Sequence, residues 1–127
     1  MNRVLIDTDV LVDFLRGYSA AVDWIESCAE RPLVSVITIA ELRAGMRAGE
    51  EAVLETLINA VEPVLIDPDI AALGGDFRRQ FGPSHGTGLA DALIAACAVH
   101  ARATLATLNI RHYPMLDRVH APYSKLP

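Results

Sequence analysis

The apolar residues of this chain form short continuous runs, separated by segments in which apolar residues recur every three or four positions. Short runs of aliphatic and β-branched residues are typical of strands that are covered on both faces of a parallel sheet. Recurrence every three or four positions is typical of helices with one buried face. The runs predict strands at residues 4–6, 33–36, 64–66 and 104–107, with a fifth short strand within 119–123.

Predicted helices fill the intervals between these strands, and segment 89–101, rich in Ala and Leu, has the strongest helical pattern. Its buried face is predicted to carry Leu89, Leu93, Ala96 and Cys97. The preceding helix is expected to end near 81–83, before a loop at 84–88. Strands that alternate with helices predict a three-layer α/β/α sandwich around a mostly parallel sheet of four to five strands. Residues 1–127 are expected to form a single domain.

Acidic residues occur at the points where this topology brings chain segments together. Asp7 and Asp9 follow the first strand, Glu41 lies in the helix after the second, and Asp91 lies in the first turn of the helix before the fourth. The carboxyl ends of parallel strands share one edge of a sheet, where ligands of such folds bind. Asp7, Glu41 and Asp91 are therefore expected at one edge, with the segment 107–112.

Three converging carboxylates indicate a metal site, because they would repel one another without a cation. Carboxylate, amide and water oxygens are the ligands that Mg²⁺ or Mn²⁺ prefers. Such a site activates a bound water and holds the oxygens of a phosphate. The predicted reaction is metal-assisted hydrolysis of a phosphodiester bond.

Each acid also has a structural interpretation. Asp7 could end a strand at a turn, Glu41 could complete a T-x-x-E capping box with Thr38, and Asp91 suits the positive end of a helix. Asp9 and Asp13 are interpreted as solvated positions on the first helix, with Asp9 also an auxiliary site residue. His112 is interpreted as a surface or loop-packing residue. The coincidence of three acids at one edge favours the functional interpretation.

The composition of the chain bears on its folded state and on its partners. The 127 residues are 52% hydrophobic and 21% charged, which excludes a disordered chain, and neither a secretion signal nor a membrane span is evident, so a cytoplasmic location is expected. The net charge of −5 argues at first against a nucleic-acid partner. Acids gathered around a metal reverse the local sign, however, and leave arginines free to contact a phosphate backbone. The candidates for these contacts are Arg43, Arg47 and Arg111.

Four sequence blocks occur together in this chain: V-L-I-D-T-D-V-L-V-D-F-L-R-G, S-V-I-T-I-A-E-L-R-A-G, G-L-A-D-A-L-I-A-A-C-A and A-T-L-N-I-R-H-Y-P-M. In order and spacing they resemble the PIN-domain ribonucleases of the VapC toxin type, from residue 3 to about residue 117. One block alone is weakly specific, whereas the four in order are fairly specific. The resemblance implies a PIN-like fold and cleavage of RNA.

The resemblance also implies roles for individual residues. Asp7 and Asp91 would be direct ligands of Mg²⁺ or Mn²⁺, and Glu41 a ligand or the group that orients the attacking water. Thr107 and Asn109 would line the site, with Asp9 as an auxiliary residue. The family often has a fourth acid in the last block, where this chain has Asn109 and His112. That departure leaves open whether a second metal is held.

The partners implied by the resemblance are a second copy of the chain, an RNA substrate and a cognate antitoxin of the VapB type. The antitoxin tail would enter the acidic groove and present an arginine to the carboxylates, in place of the metal. A basic tail suits an acidic cleft. The sequence does not distinguish transfer, ribosomal and messenger RNA as targets.

Two alternatives remain at this stage. The run D-T-D-V-L also resembles the haloacid-dehalogenase phosphatases, in which the first Asp is a nucleophile. Those enzymes need a lysine after a later strand, and the only lysine of this chain is Lys125, two residues from its end. The other alternative is a catalytically inactive peptide-binding module of the same fold, suggested by the missing fourth acid.

Overall fold

A computed structural model describes residues 3–125 and shows one five-stranded sheet. All strand pairs are parallel and the strand order is β3-β2-β1-β4-β5, so the central strand β1 lies between β2 and β4. This confirms the predicted α/β class with a parallel sheet. The strands are β1 (Val4–Ile6), β2 (Leu33–Ser35), β3 (Glu62–Val64), β4 (Thr104–Ala106) and β5 (Val119–His120).

The helices connect these strands in the predicted alternation and cover the sheet. None of those within residues 3–125 has both the length and the apolar character needed to cross a membrane. The helices are α1 (Thr8–Leu15), α2 (Ser19–Glu26), α3 (Val36–Ala44), α4 (Glu51–Ala60), α5 (Pro68–His85) and α6 (Leu89–Ala101), with a 3₁₀ turn at Ile110–His112.

Two apolar clusters lie on opposite faces of the sheet. Leu5 belongs to the cluster that contains Ile94 of α6, whereas its neighbour Ile6 packs with Leu11 of α1 and Leu54 of α4. Successive side chains of a strand point to opposite faces, so a strand that is apolar at consecutive positions must be covered on both sides. This arrangement accounts for the short continuous apolar runs of the sequence.

The buried face of α6 differs from the one predicted. Ala96 and Cys97 are buried as expected, but Leu89 is 56% exposed and Leu93 is only partly buried. Small residues occupy most of the covered face of α6. On α5, Gly74 leaves the space that Leu93 fills, because a Cβ atom at Gly74 would lie 2.5 Å from Leu93 Cδ2. Helix α6 carries apolar residues of its own on every face, so their spacing in the sequence did not identify the buried face.

Three element boundaries also differ from the prediction. Strand β3 lies two residues earlier because Glu62 pairs with Leu33, and Leu65 is 72% exposed. Helix α5 continues through Pro83 and ends at His85, and its C-cap is Gly86, whose φ of +68° suits glycine. Helix α3 begins at Val36 rather than near Thr38 and ends at Ala44.

The early start of α3 overturns the predicted capping box. Ser35 is the N-cap, and its Oγ accepts a hydrogen bond from the backbone N–H of Ile37 at 3.1 Å. Thr38 and Glu41 are therefore the third and sixth residues of α3. In a capping box the threonine immediately precedes the helix and the glutamate is the third helical residue. Because Thr38 and Glu41 lie inside α3, a capping box does not explain the acidic side chain of Glu41.

Candidate active site

Asp7 is the buried centre of the carboxyl edge. It caps α1, is 4% exposed, and accepts a hydrogen bond at Oδ1 from the backbone N–H of Thr8 at 2.8 Å. Its Oδ2 accepts hydrogen bonds from the hydroxyls of Thr107 and Tyr113, each at 2.8 Å. Asp7 therefore follows the end of a strand, as its structural interpretation had it, but it caps α1 directly and is buried rather than lying in a surface turn.

Burial raises the pKa of Asp7 from 3.8 to about 6, and the nearby charge of Asp9 adds to the rise. The hydrogen bonds from Thr107, Tyr113 and Thr8 oppose it by stabilising the ionised form. The net result is a carboxyl group that ionises at a cost to folding. A cation brought to this site would remove that cost.

Asp9 binds the chain segment that leaves β4. Its Oδ2 accepts a hydrogen bond from the backbone N–H of Leu108 at 2.9 Å, and it lies 3.5 Å from Asn109 Nδ2 and 3.4 Å from Thr107 Oγ1. Burial raises the pKa of Asp9 as well. Asp9 is thus partly buried rather than solvated, and the structure brings it to the same edge as Thr107 and Asn109.

Glu41 reaches this edge from α3. Its side chain is exposed to solvent, and its Oε1 accepts a hydrogen bond from Thr8 Oγ1 at 2.6 Å. Thr8 Oγ1 also lies 2.9 Å from Thr38 Oγ1. Because the backbone N–H of Thr8 binds Asp7, this single residue links Glu41 to the buried carboxylate.

Asp91 lies in the first turn of α6, as predicted, and both of its oxygens contact the segment after β4. Oδ1 lies 3.3 Å from the Tyr113 hydroxyl, and Oδ2 lies 3.2 Å from Nδ1 of His112. The Tyr113 hydroxyl therefore stands between Asp7 and Asp91. The topology brings all three predicted acids to one edge of the sheet.

Sequence reasoning missed Thr8 and Tyr113, and it assigned His112 only a packing role. The signal for Tyr113 is its hydroxyl group: a tyrosine needs a hydrogen-bond partner once it is buried, and Tyr113 is 1% exposed. Burial, together with the nearby carboxyl groups of Asp7 and Asp91, raises the pKa of its hydroxyl far above the ordinary value.

The candidate RNA-contacting arginines lie at the surface, but their surroundings differ. Arg43 forms an exposed ion pair with Glu55 at 3.4 Å. Arg47 lies beyond the end of α3, so it does not share a helix face with Arg43. Arg111 is exposed in the 3₁₀ turn, directly before His112.

The donor set of this edge matches a hard divalent cation, since it consists of carboxylate, hydroxyl and amide oxygens. As the side chains stand within residues 3–125, no three acidic, histidine or cysteine side chains are close enough together to ligate one ion. Hydrogen bonds through Tyr113 and Thr8 connect the carboxylates instead. The residues fit a divalent cation in the chemistry of their donor atoms.

Comparison with known proteins assigns this chain to a protein family. The PIN domain model matches residues 4–118. The chain is 40% identical to ribonuclease VapC10 of Mycobacterium tuberculosis, over 95% of this chain and 93% of that protein. It is 41% identical to ribonuclease VapC19 of the same species, over 94% and 98%. A toxin–antitoxin complex from Klebsiella pneumoniae contains a chain that is 26% identical, with a TM-score of 0.83 over 96% of this chain and 99% of that one.

These matches extend over nearly all of the chain and agree with one another in fold. They give no support to the phosphatase alternative, whose lysine would have to be Lys125; that side chain is paired with Asp13. The protein belongs to the PIN domain family and is similar to its VapC ribonucleases.

Proposed function

We propose that this protein is the toxin of a toxin–antitoxin pair and a Mg²⁺- or Mn²⁺-dependent endoribonuclease. The observation that carries the proposal is the buried carboxylate of Asp7, joined through one hydroxyl to Asp91 and through Thr8 to Glu41. Maintaining a buried acid with a raised pKa costs stability, so its presence is better explained by function than by folding. The ribonuclease relatives support the RNA substrate.

In the proposed mechanism Asp7 and Asp91 hold the cation, and Glu41 holds it or orients the attacking water. When bound, such an ion lowers the pKa of a water molecule and stabilises negative charge on phosphate oxygens. The hydroxyl of Thr107 keeps Asp7 in a fixed orientation. Glu41 is anchored at Oε1 by Thr8 and reaches solvent, where it can accept a proton from water.

RNA binding is proposed to be weak and sensitive to salt, because the chain has few basic groups for a phosphate backbone. Arg111 lies nearest in sequence to the site, beside His112. Arg43 would exchange Glu55 for a phosphate, at little cost because exposed ion pairs contribute little. Arg47 is also exposed. These three arginines are the proposed backbone contacts.

The test is cleavage of a structured RNA by the purified chain with Mn²⁺, repeated in EDTA. We expect Asp7→Asn, Glu41→Gln and Asp91→Asn each to lower the rate by about a hundredfold or more, because each removes a charged ligand or base. Asp76→Asn is the matched control, since Asp76 is an exposed acid that pairs with Arg79.

Equal cleavage by the wild type and by Asp7→Asn would contradict the catalytic assignment. Cleavage that persists in EDTA would contradict metal dependence. If neither the wild type nor any variant cleaves RNA although all of them are folded, the catalytically inactive peptide-binding module becomes the better explanation. The missing fourth acid would then account for the inactivity.

The proposed partner is a VapB-type antitoxin with an apolar segment and a basic tail. An open groove of about 400 Å³ lies between α1, α2 and α4. It is lined mainly by apolar side chains, among them Phe14, Ile25, Val53 and Leu57. An apolar segment suits this groove, and the tail would reach the acids at the sheet edge.

Co-purification with the small protein encoded beside the toxin gene tests this partner. We expect Val53→Glu to weaken the complex without changing RNA cleavage by the free chain. The residues that line the groove do not include Asp7, Glu41 or Asp91. A complex unaffected by Val53→Glu would place the partner elsewhere. Light scattering on the same samples tests the proposed homodimer.

A further inference from the structure

One side chain contacts both aspartates that are proposed to hold the metal. The hydroxyl of Tyr113 donates to Asp7 Oδ2 at 2.8 Å and lies 3.3 Å from Asp91 Oδ1. Asp7 belongs to the junction of β1 and α1, whereas Asp91 belongs to α6. The phenol thus joins two elements that are far apart in the sequence.

A phenol has a single proton, and two carboxylate oxygens compete for it. The shorter distance places the proton on the bond to Asp7. Asp91 Oδ1 therefore receives only the longer and weaker hydrogen bond, at 3.3 Å. Its lone pairs stay available to a cation, while Asp7 is oriented by the bond that it accepts.

The segment that carries this phenol is itself held in place. Thr87, in the loop before α6, donates its hydroxyl proton to the backbone carbonyl of His112 at 2.7 Å. His112 Nδ1 lies 3.2 Å from Asp91 Oδ2, and the backbone N–H of Tyr113 bonds to Ile110 in the 3₁₀ turn at 2.9 Å. His112 and Tyr113 therefore contact the two carboxylate oxygens of Asp91.

We propose that Tyr113 is a positioning residue, whose hydroxyl fixes the spacing of Asp7 and Asp91 so that both can present an oxygen to one divalent cation. The proposal rests on the proposed function, since it takes these two aspartates as the ligands. A pair of ligands that is already oriented loses less side-chain freedom on binding. Residues that orient metal ligands typically change metal affinity by tenfold to a hundredfold.

The test is the affinity of the full chain for Mn²⁺, measured by calorimetry without RNA. Tyr113→Phe keeps the buried ring and removes only the hydroxyl, and we expect it to weaken Mn²⁺ binding by about tenfold or more. Tyr123→Phe is the matched control, because it removes another phenol–carboxylate bond, that of Tyr123 to Asp13 at 2.7 Å. The control is expected to bind Mn²⁺ as the wild type does.

A second measurement separates positioning from general damage to the fold. RNA cleavage by Tyr113→Phe should return to nearly the wild-type rate at saturating Mn²⁺, because the phenol acts through the ligands and not on the RNA. If Tyr113→Phe does not fold, Tyr113→Met fills the space with a flexible apolar side chain and repeats the measurement.

The outcomes distinguish this proposal from the proposed function. If the wild type binds Mn²⁺ and Tyr113→Phe binds it equally well, the hydroxyl is only a packing feature and the proposal is wrong. Tighter binding by the variant would make the phenol a competitor of the ion, which also overturns it. If the wild type itself binds no Mn²⁺, the proposed metal site fails, and this inference fails with it.

Discussion

Helix α1 has a buried aspartate bonded to a tyrosine near each end, and the two pairs differ in how the charge is balanced. At the start, Asp7 accepts from Tyr113 and from other hydroxyl and amide donors. Near the end, Asp13 accepts from Tyr123 at 2.7 Å and pairs with Lys125 at 2.6 Å.

The Lys125 ammonium also lies 5.1 Å from the centre of the Tyr18 ring. The chain therefore supplies its own cation to Asp13, where the contacts fasten residues 123–125 onto α1. At Asp7 the donors are neutral, and the raised pKa shows that they do not compensate for burial. The difference teaches that the chain itself neutralises the buried charge of Asp13, whereas the donors to Asp7 within residues 3–125 are neutral hydroxyl and amide groups.

The largest expected effect is on the pH dependence of stability in EDTA. Because folding raises the pKa of Asp7 from 3.8 to about 6, the protonated carboxyl stabilises the fold fully below about pH 4. That contribution is lost as the pH rises through about 6, and amounts to about 3 kcal/mol at most. Urea unfolding from about pH 4 to pH 7 should show this loss.

Asp7→Asn should remove this slope and unfold at higher urea than the wild type at neutral pH. An amide can keep the bond from Thr8 through its oxygen and donate to the two hydroxyl oxygens through its nitrogen. A slope unchanged in the variant would assign the pH dependence to another group.

A similar effect is expected from the cation itself. Mn²⁺ at a free concentration of a hundred times its Kd should stabilise the fold by about 2.7 kcal/mol, seen as a higher Tm. Asp91→Asn should remove most of this shift, whereas Asp13→Asn should retain it, because Asp13 already has Lys125. An undiminished shift in Asp91→Asn would place the metal elsewhere.

Substitution of Asp13 should have the opposite sign to that of Asp7. Asp13→Asn is expected to destabilise the metal-free protein at neutral pH by about 1–2 kcal/mol, because it removes the charge from two charge-assisted hydrogen bonds. Urea unfolding of both variants under one set of conditions makes the comparison. Stabilisation by Asp13→Asn would show that Tyr123 and Lys125 do not balance the buried charge of Asp13.

The smallest effect is expected at Lys125. Lys125→Met should destabilise the protein by about 0.5 kcal/mol, because half of the lysine side chain is exposed and water screens its charge. The loss should shrink as salt is added to the wild type and the variant alike. A loss that does not depend on salt would indicate packing of the side chain rather than its charge.

Much of the carboxyl edge could be predicted, because strand direction and crossover handedness are general properties of α/β folds. Asp7, Glu41 and Asp91 required only the order of strands and helices. The capping box at Thr38 was wrong because Ser35 starts α3 earlier, a choice between two good N-cap residues that the sequence leaves open. The solvated interpretation of Asp13 was wrong because its partners come from residues 123–125, at the far end of the chain.

The order of apolar runs and acids determined, by itself, the fold class and the sheet edge at which Asp7, Glu41 and Asp91 meet. Only the tertiary structure decided how those acids are connected: Thr8 links Asp7 to Glu41, and Tyr113 links Asp7 to Asp91. The physical reason is range. Periodicity and topology arise from backbone geometry, which a local sequence pattern reveals, whereas a hydrogen bond depends on a few ångströms between side chains that meet only after folding.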